Sequence, residues 1–213
     1  MVQIIPAVLA TSEDQYSADI TKLNNCQSLQ DGWVHIDLAD NIFVQNETIE
    51  PEIIQKFPNN LRKEAHLMVA HPQEWVDKLV TAGFERVIFH IEAENIQEAI
   101  DCAKSKNLEV GIALKNETEL EKLTGFIPKI DVVMLMGVRP GLQGQEFIPH
   151  SVKKMRDLKS KNWQVKAGID GGVRDSNIKE IVEAGADFVI VGSYLLRGNL
   201  DENLENLWEI INE

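Results

Sequence analysis

The ten residues Thr81-Ala82-Gly83-Phe84-Glu85-Arg86-Val87-Ile88-Phe89-His90 carry the reading from which the fold follows. Gly83 stands where a glycine in the left-handed region ends a helix, having no Cβ to clash there. The run Arg86–His90 behind it is too short for a helix and rich in residues that suit a strand. The same grammar returns in Glu183-Ala184-Gly185-Ala186-Asp187, ahead of the run Phe188–Val191. Outward from these two, six more runs have the strand character: Ile4–Leu9, Trp33–Asp37, Ala65–Met68, Val110–Leu114, Asp131–Met136 and Val165–Asp170.

The segments between the runs have helical period. In Asn95–Lys106, Ile96, Ala99, Ile100 and Ala103 recur at i, i+3, i+4 and i+7. Ser176 is the expected N-cap of a helix through Glu183, and Asn203–Ile211 repeats the stripe. Strict alternation of strand and helix implies a parallel sheet. An open, doubly wound sheet that binds a dinucleotide would carry Gly-x-Gly-x-x-Gly after its first strand. Ala7-Val8-Leu9-Ala10-Thr11 has no glycine. The expected fold is therefore α/β, a (β/α)8 TIM barrel, and at 213 residues one domain spanning 1–213.

Composition removes several function classes. The formal charge of −13 repels nucleic acid and anionic membrane surfaces. No apolar stretch is long enough to span a bilayer. The start Met1-Val2-Gln3-Ile4-Ile5-Pro6-Ala7 reads as a first strand rather than a signal peptide, because no basic region precedes it. Cys26 and Cys102 make a poor disulfide framework, so free thiols and a cytoplasmic location are expected. An anionic ligand would need a local site of backbone N–H groups.

Ionisable side chains stand at the carboxyl ends of the runs. His35 and Asp37 share one strand face by their i, i+2 spacing. His66, His90 and Asp170 close three others, and in a barrel such ends converge on the catalytic mouth. Taken singly, each has a structural explanation: His90 a hydrogen-bonded strand end, Asp37 a loop cap, Asp170 an Asx-turn. Together, His35, Asp37, His66 and Asp170 form a mixed nitrogen and oxygen donor set. It suits one divalent ion, Zn2+, Fe2+, Mn2+ or Co2+, and the donors alone do not choose among them. Glycine-rich turns follow the later strands at Arg139-Pro140-Gly141-Leu142-Gln143-Gly144-Gln145, Gly171-Gly172 and Gly192-Ser193. Such turns let N–H groups approach a phosphate, and in these barrels phosphate sites often follow strands seven and eight.

As a set, Val34-His35-Ile36-Asp37, His66-Leu67-Met68-Val69, Leu135-Met136 through Pro149, Asp170-Gly171-Gly172 and Gly192-Ser193 resemble the ribulose-phosphate 3-epimerase family, from Ile5 to about Leu196. The resemblance implies a ribulose-phosphate-binding type of barrel and an isomerase of the pentose phosphate pathway. It implies metal held by His35, Asp37, His66 and Asp170, with Asp37 and Asp170 as the catalytic acid–base pair. It implies phosphate or substrate contacts at His66, Gly141, Gly144, Gly171, Gly172, Gly192 and Ser193. Met68 and Met136 would screen the intermediate, although plain core packing explains them equally well. The substrate would be a small sugar phosphate, with no nucleic acid or membrane partner, and the chain a homo-oligomer.

Several positions depart from the family's pattern. Ala7 replaces a serine that touches substrate, Ala39 a methionine, Gln45 a proline and Gln143 a glycine. Arg139 replaces a smaller or acidic residue and is expected to pair with a surface carboxylate, with a second anionic group of the ligand as its other use. These changes leave open a six-carbon ketose phosphate such as allulose 6-phosphate, or a non-catalytic sugar-phosphate-binding barrel. The decarboxylases and aldolases of related barrels carry Asp-x-Lys-x-x-Asp on the second strand. His35-Ile36-Asp37-Leu38-Ala39-Asp40 has no lysine, which argues against that chemistry.

Overall fold

A computed structural model describes residues 2–29 and 32–213. Eight parallel strands close in chain order: β1 (Gln3–Val8), β2 (Trp33–Ala39), β3 (Arg62–Met68), β4 (Arg86–His90), β5 (Glu109–Leu114), β6 (Val132–Met136), β7 (Lys166–Asp170) and β8 (Phe188–Val191), with β8 pairing back to β1. The helices are α1 (Glu13–Asn25), α2 (Pro51–Ile54), α3 (Val76–Thr81), α4 (Ile96–Ser105), α5 (His150–Ser160), α6 (Ile178–Glu183), α7 (Ser193–Leu196) and α8 (Leu200–Asn212). The expected TIM barrel is therefore the observed fold. Gly83 (φ 75°) follows α3 and Gly185 (φ 99°) follows α6, as the repeated grammar requires. Among the described residues, no helix is long and apolar enough to cross a membrane.

Two local expectations are corrected. Asn177, not Ser176, precedes α6. The Asn177 side chain accepts from Arg174 N (2.9 Å) and donates to Gly172 O (2.9 Å), so it braces the loop beside Asp170 rather than capping the helix. Between β5 and β6 there is no α-helix, only the 3-10 turns Leu120–Leu123 and Ile127–Lys129. Gly125 and Pro128 interrupt that segment: one favours turns, the other lacks an N–H and disfavours helix in its predecessor. Lys154 of α5 supports it instead, donating from its buried ammonium to the carbonyls of Lys115 (2.7 Å) and Thr118 (2.6 Å).

Strand alternation divides the core in two. Outward residues such as Val34, Ile36, Leu67 and Ile169 pack under the helices. Inward residues fill the barrel, among them Ile5, Trp33, Ile88, Met134 and Phe188. Gly168 makes room for one of them, since a Cβ there would lie 2.3 Å from the Phe188 ring. The end of the barrel away from the carboxyl mouth is closed by Trp33, with the Arg62 and Arg86 guanidinium groups each 3.9 Å from its ring centroid. The opposite end is left for polar side chains.

Candidate active site

Strand register assembles the cluster. β2 and β3 set His35 beside Glu64 and Asp37 beside His66, and β6 and β7 set Met136 beside Asp170. One donor atom from each of His35, Asp37, His66 and Asp170 lies within 4.8 Å of the others, and all four residues are buried. His66 Nδ1 is 2.8 Å from Asp37 Oδ1 and 3.5 Å from Asp170 Oδ2.

The quartet fits a divalent cation on a test internal to the structure. His35 Nε2 is fully buried without a hydrogen-bond partner, and its nearest acid oxygen, Asp37 Oδ1, is 3.5 Å away. A buried polar nitrogen left unsatisfied is costly. The other His35 nitrogen, Nδ1, is already taken by Glu64 Oε1 at 2.7 Å. Nε2 is thus aimed at the space between the carboxylates, where a cation would satisfy it.

Charge states in the cluster diverge. Burial works to raise the Asp37 carboxyl, but His35 and His66 beside it prevail and hold it well below the usual carboxylate range. Asp170 has no comparable contact, and burial raises it. Burial alone would depress His35; the Asp37 and Glu64 carboxylates outweigh it and raise the imidazole to about 10.

Two groups of side chains stand behind the quartet; of their members only His90 was singled out from the sequence, as a hydrogen-bonded strand end. The first is a line of charge across β2–β5, buried at Glu64 and Arg86 and half-buried at Glu109: Glu64 Oε1 on His35, Glu64 Oε2 accepting from Arg86 Nη1 (2.7 Å), and Glu109 Oε2 accepting from Arg86 Nη2 (2.6 Å). Glu64 lies two residues before His66 and shares its face, which was the available signal. The second begins at His90. Its imidazole is outside the quartet: its Nε2 meets His66 Nε2 at 2.9 Å, and its Nδ1 meets Glu92 Oε2 at 3.2 Å. Burial holds His90 down to about 4, so the ring is neutral.

A cavity of about 340 Å³ opens from Asp37, His66 and Asp170 toward the turns after β6, β7 and β8. Its walls include Gly141, Gly144, Gly171, Gly172, Gly192 and Ser193. Gly171 (φ 100°) and Gly172 (φ 70°) are both left-handed, and a Cβ on Gly172 would come within 3.0 Å of the Phe147 backbone. Among the described residues, none of the turn hydrogen bonds uses the N–H of Gly144, Gly172 or Ser193. Met68 and Met136 are buried and reach the same cavity. Arg139, Arg174 and Arg197 line it too, and among the described residues none of them makes an ion pair. The expected surface partner of Arg139 is therefore not found; its guanidinium belongs to the cavity rim.

Fold and mouth together define an enzyme of the (β/α)8-barrel class. A 3-keto-L-gulonate-6-phosphate decarboxylase from Vibrio cholerae superposes with a TM-score of 0.75 over 99% of this chain and 97% of its own, at 15% identity, a likeness of fold. The Ribulose-phosphate 3 epimerase family matches residues 3–196, and the chain belongs to that family. A ribulose-phosphate 3-epimerase of Chlamydia muridarum is 37% identical over 173 residues, 77% of this chain and 76% of its own. One from Schizosaccharomyces pombe is 32% identical over 212 residues, 96% and 92% of the two chains. The chain is accordingly an isomerase, of the epimerase kind.

Proposed function

We propose that the chain interconverts D-ribulose 5-phosphate and D-xylulose 5-phosphate by inverting C3. The carrying observation is the pair Asp37 and Asp170, two buried carboxyl groups on one cavity driven toward opposite protonation states. Inversion through a planar enediolate needs a base on one face and an acid on the other at the same moment. Asp37, ionised at rest, removes the C3 proton from one face. Asp170, whose carboxyl burial raises to about 6, takes up a proton more readily and returns it to the other. The reverse reaction exchanges their roles.

His35, Asp37, His66 and Asp170 would hold one divalent ion, Zn2+ first among those that accept this donor set. When bound, it supplies Lewis-acid stabilisation of the negative charge that builds on the substrate oxygens. Met68 and Met136 exclude water from the intermediate. The phosphate rests on the N–H groups of Gly144, Gly172, Gly192 and Ser193, with Gly141 and Gly171 giving the turns their shape. Arg139, Arg174 and Arg197 offset the repulsion that a chain of charge −13 exerts on an anionic sugar.

One observation favours a second sugar. The Gln143 amide nitrogen comes within 3.0 Å of where a Gly192 Cβ would sit, and Ala7 Cβ lies 3.6 Å from the same point. An amide thus overhangs the cradle close to a position where a serine hydroxyl is absent, which suits altered contacts and a six-carbon ketose phosphate. The test is turnover of ribulose 5-phosphate against allulose 6-phosphate in deuterated water, with the metal content of the same sample measured. Deuterium at C3 of recovered substrate and product is the expected result. Neither sugar acquiring deuterium at C3, with any of the four ions supplied, sinks the reading.

A further inference from the structure

We propose that Glu92, acting through His90, sets the tautomer of His66 so that its cavity-facing Nδ1 carries a lone pair, which makes His90 and Glu92 positioning residues for the cation site; the inference rests on the cation reading above.

His66 presents Nδ1 to Asp37 Oδ1 (2.8 Å) and Asp170 Oδ2 (3.5 Å), so this is its donor atom toward the quartet. Its Nε2 faces the other way and meets His90 Nε2 at 2.9 Å. Both rings are buried. At that separation one proton lies between the nitrogens: two would repel, and none would leave two lone pairs facing each other. Two neutral arrangements satisfy the pair. In one, His90 donates from Nε2, and His66 keeps its proton on Nδ1, where it points at Asp37 and obstructs a cation. In the other, His66 donates from Nε2 and its Nδ1 is bare. The two rings change together, because neutral His90 with a bare Nε2 must carry its proton on Nδ1.

Glu92 selects between them. Its Oε2 lies 3.2 Å from His90 Nδ1, and an ionised carboxylate only accepts. It therefore stabilises His90 with the proton on Nδ1, and hence His66 with the proton on Nε2. Asp37 pulls the other way by attracting a proton to His66 Nδ1, so the bias from Glu92 decides a near-balanced pair. Glu92 is itself fixed: its Oε1 accepts from Lys115 N (3.1 Å) and from the Thr118 hydroxyl. The Phe43 ring covers His90, with centroids 5.0 Å apart. Neither His90 nor Glu92 lines the substrate cavity, so their influence passes through His66.

The decisive variant is Glu92→Gln, which keeps size and hydrogen-bonding reach but can donate to His90 Nδ1 as well as accept from it. Three measurements are made on metal-stripped protein: Zn2+ affinity by competition with a chromophoric chelator, the His66 tautomer from 15N imidazole spectra, and the thermal midpoint. The expected result is an unchanged midpoint, a His66 population moved toward protonated Nδ1, and Zn2+ affinity lower by about tenfold or more, the scale of second-sphere partners of histidine ligands. Loss at His90→Leu with partial recovery at His90→Gln, whose amide oxygen can accept from His66 Nε2, supports the same reading. Unchanged Zn2+ affinity in Glu92→Gln overturns the relay and leaves the cation site standing. If the variant does not fold, the wild-type spectra decide: metal-stripped His66 protonated mainly on Nδ1 overturns the relay. A wild-type chain that binds no Zn2+ and none of the other three ions overturns the cation reading and the relay with it.

Discussion

Replacing Glu64 by Gln changes one oxygen of a carboxylate into an amide NH2 with little change in shape. The carboxylate is fully buried, and each oxygen serves one donor: Oε1 takes His35 Nδ1 at 2.7 Å and Oε2 takes Arg86 Nη1 at 2.7 Å. Glutamine offers one acceptor oxygen to those two donors. A permanently charged guanidinium keeps its acceptor more firmly than an imidazole that can give up its proton, so the remaining oxygen goes to Arg86. His35 Nδ1 has no other acceptor among the described residues, whereas Arg86 also has Glu109. The orphaned imidazole N–H then costs the metal-free protein about 1–3 kcal/mol. The substitution also removes the acceptor that keeps a proton on Nδ1, so a His35 that gives up one proton is free to keep the other on Nε2, the atom aimed at the cation. Cation affinity should fall by about 10- to 100-fold, or about 1.4–2.7 kcal/mol. The assay pairs denaturant unfolding of metal-stripped protein with a Zn2+ competition titration. Both readouts must move. If stability falls while Zn2+ affinity holds, the glutamine oxygen has stayed on His35 and the ranking of the two donors is wrong. If neither moves, Glu64 does not position His35.

Asp170→Asn should abolish inversion at C3 while the chain remains folded, because the amide cannot deliver a proton to the second face; wild-type-like inversion in this variant removes Asp170 from the chemistry. Gly168→Ala should lower the unfolding free energy by about 1–3 kcal/mol, the usual penalty for overpacking, since the new Cβ would lie 2.3 Å from the Phe188 ring. An unchanged denaturation midpoint would mean the barrel interior has slack that the packing does not suggest. Cys26 is buried, and burial together with its hydrogen bond to Asp201 pushes its thiol up to about 11. Its thiolate fraction at pH 8 is therefore smaller than that of an ordinary cysteine, so an aromatic disulfide reagent should label Cys102 first in the native protein, and mass mapping that finds Cys26 labelled first contradicts the burial.

The legible part of the structure was the part governed by local period. Arg86–His90 and Phe188–Val191 were read with the boundaries they have, because apolar or aromatic residues fill both apart from Arg86. β3 was read from Ala65, although it starts at Arg62. Its first residues are charged, and they are strand because Arg62 stacks on Trp33 and Glu64 meets both His35 and Arg86, contacts supplied by neighbouring strands. Asp131, read as strand, lies outside β6, where its carboxylate accepts from Val110 N (2.7 Å) and Lys104 (2.5 Å). The His35 and Asp37 pair was legible for the same local reason, an i, i+2 spacing that any strand converts into a shared face. Glu64 and Arg86 were not, because a buried charge makes sense only beside its partner, and partnership is a matter of register between strands.

That register also accounts for why the mouth could hold a cation. Around the site the barrel buries the carboxyl groups of Glu64, Asp37 and Asp170, and among the described residues Arg86 is the only guanidinium in contact with any of them. Buried negative charge in such excess must be offset by protonation or by a positive partner. In the metal-free protein both devices operate: Asp170 is raised toward its neutral form, and His35 is held protonated. Each is a makeshift for the same missing positive charge, and each occupies an atom that a metal ion would use. A divalent cation would displace the His35 proton, leave Nε2 coordinated instead of orphaned, and allow both aspartates to bind, so that its uptake releases protons and tightens the barrel mouth together. The buried charges that look like a cost to the fold without metal would thus be what favours a bound cation.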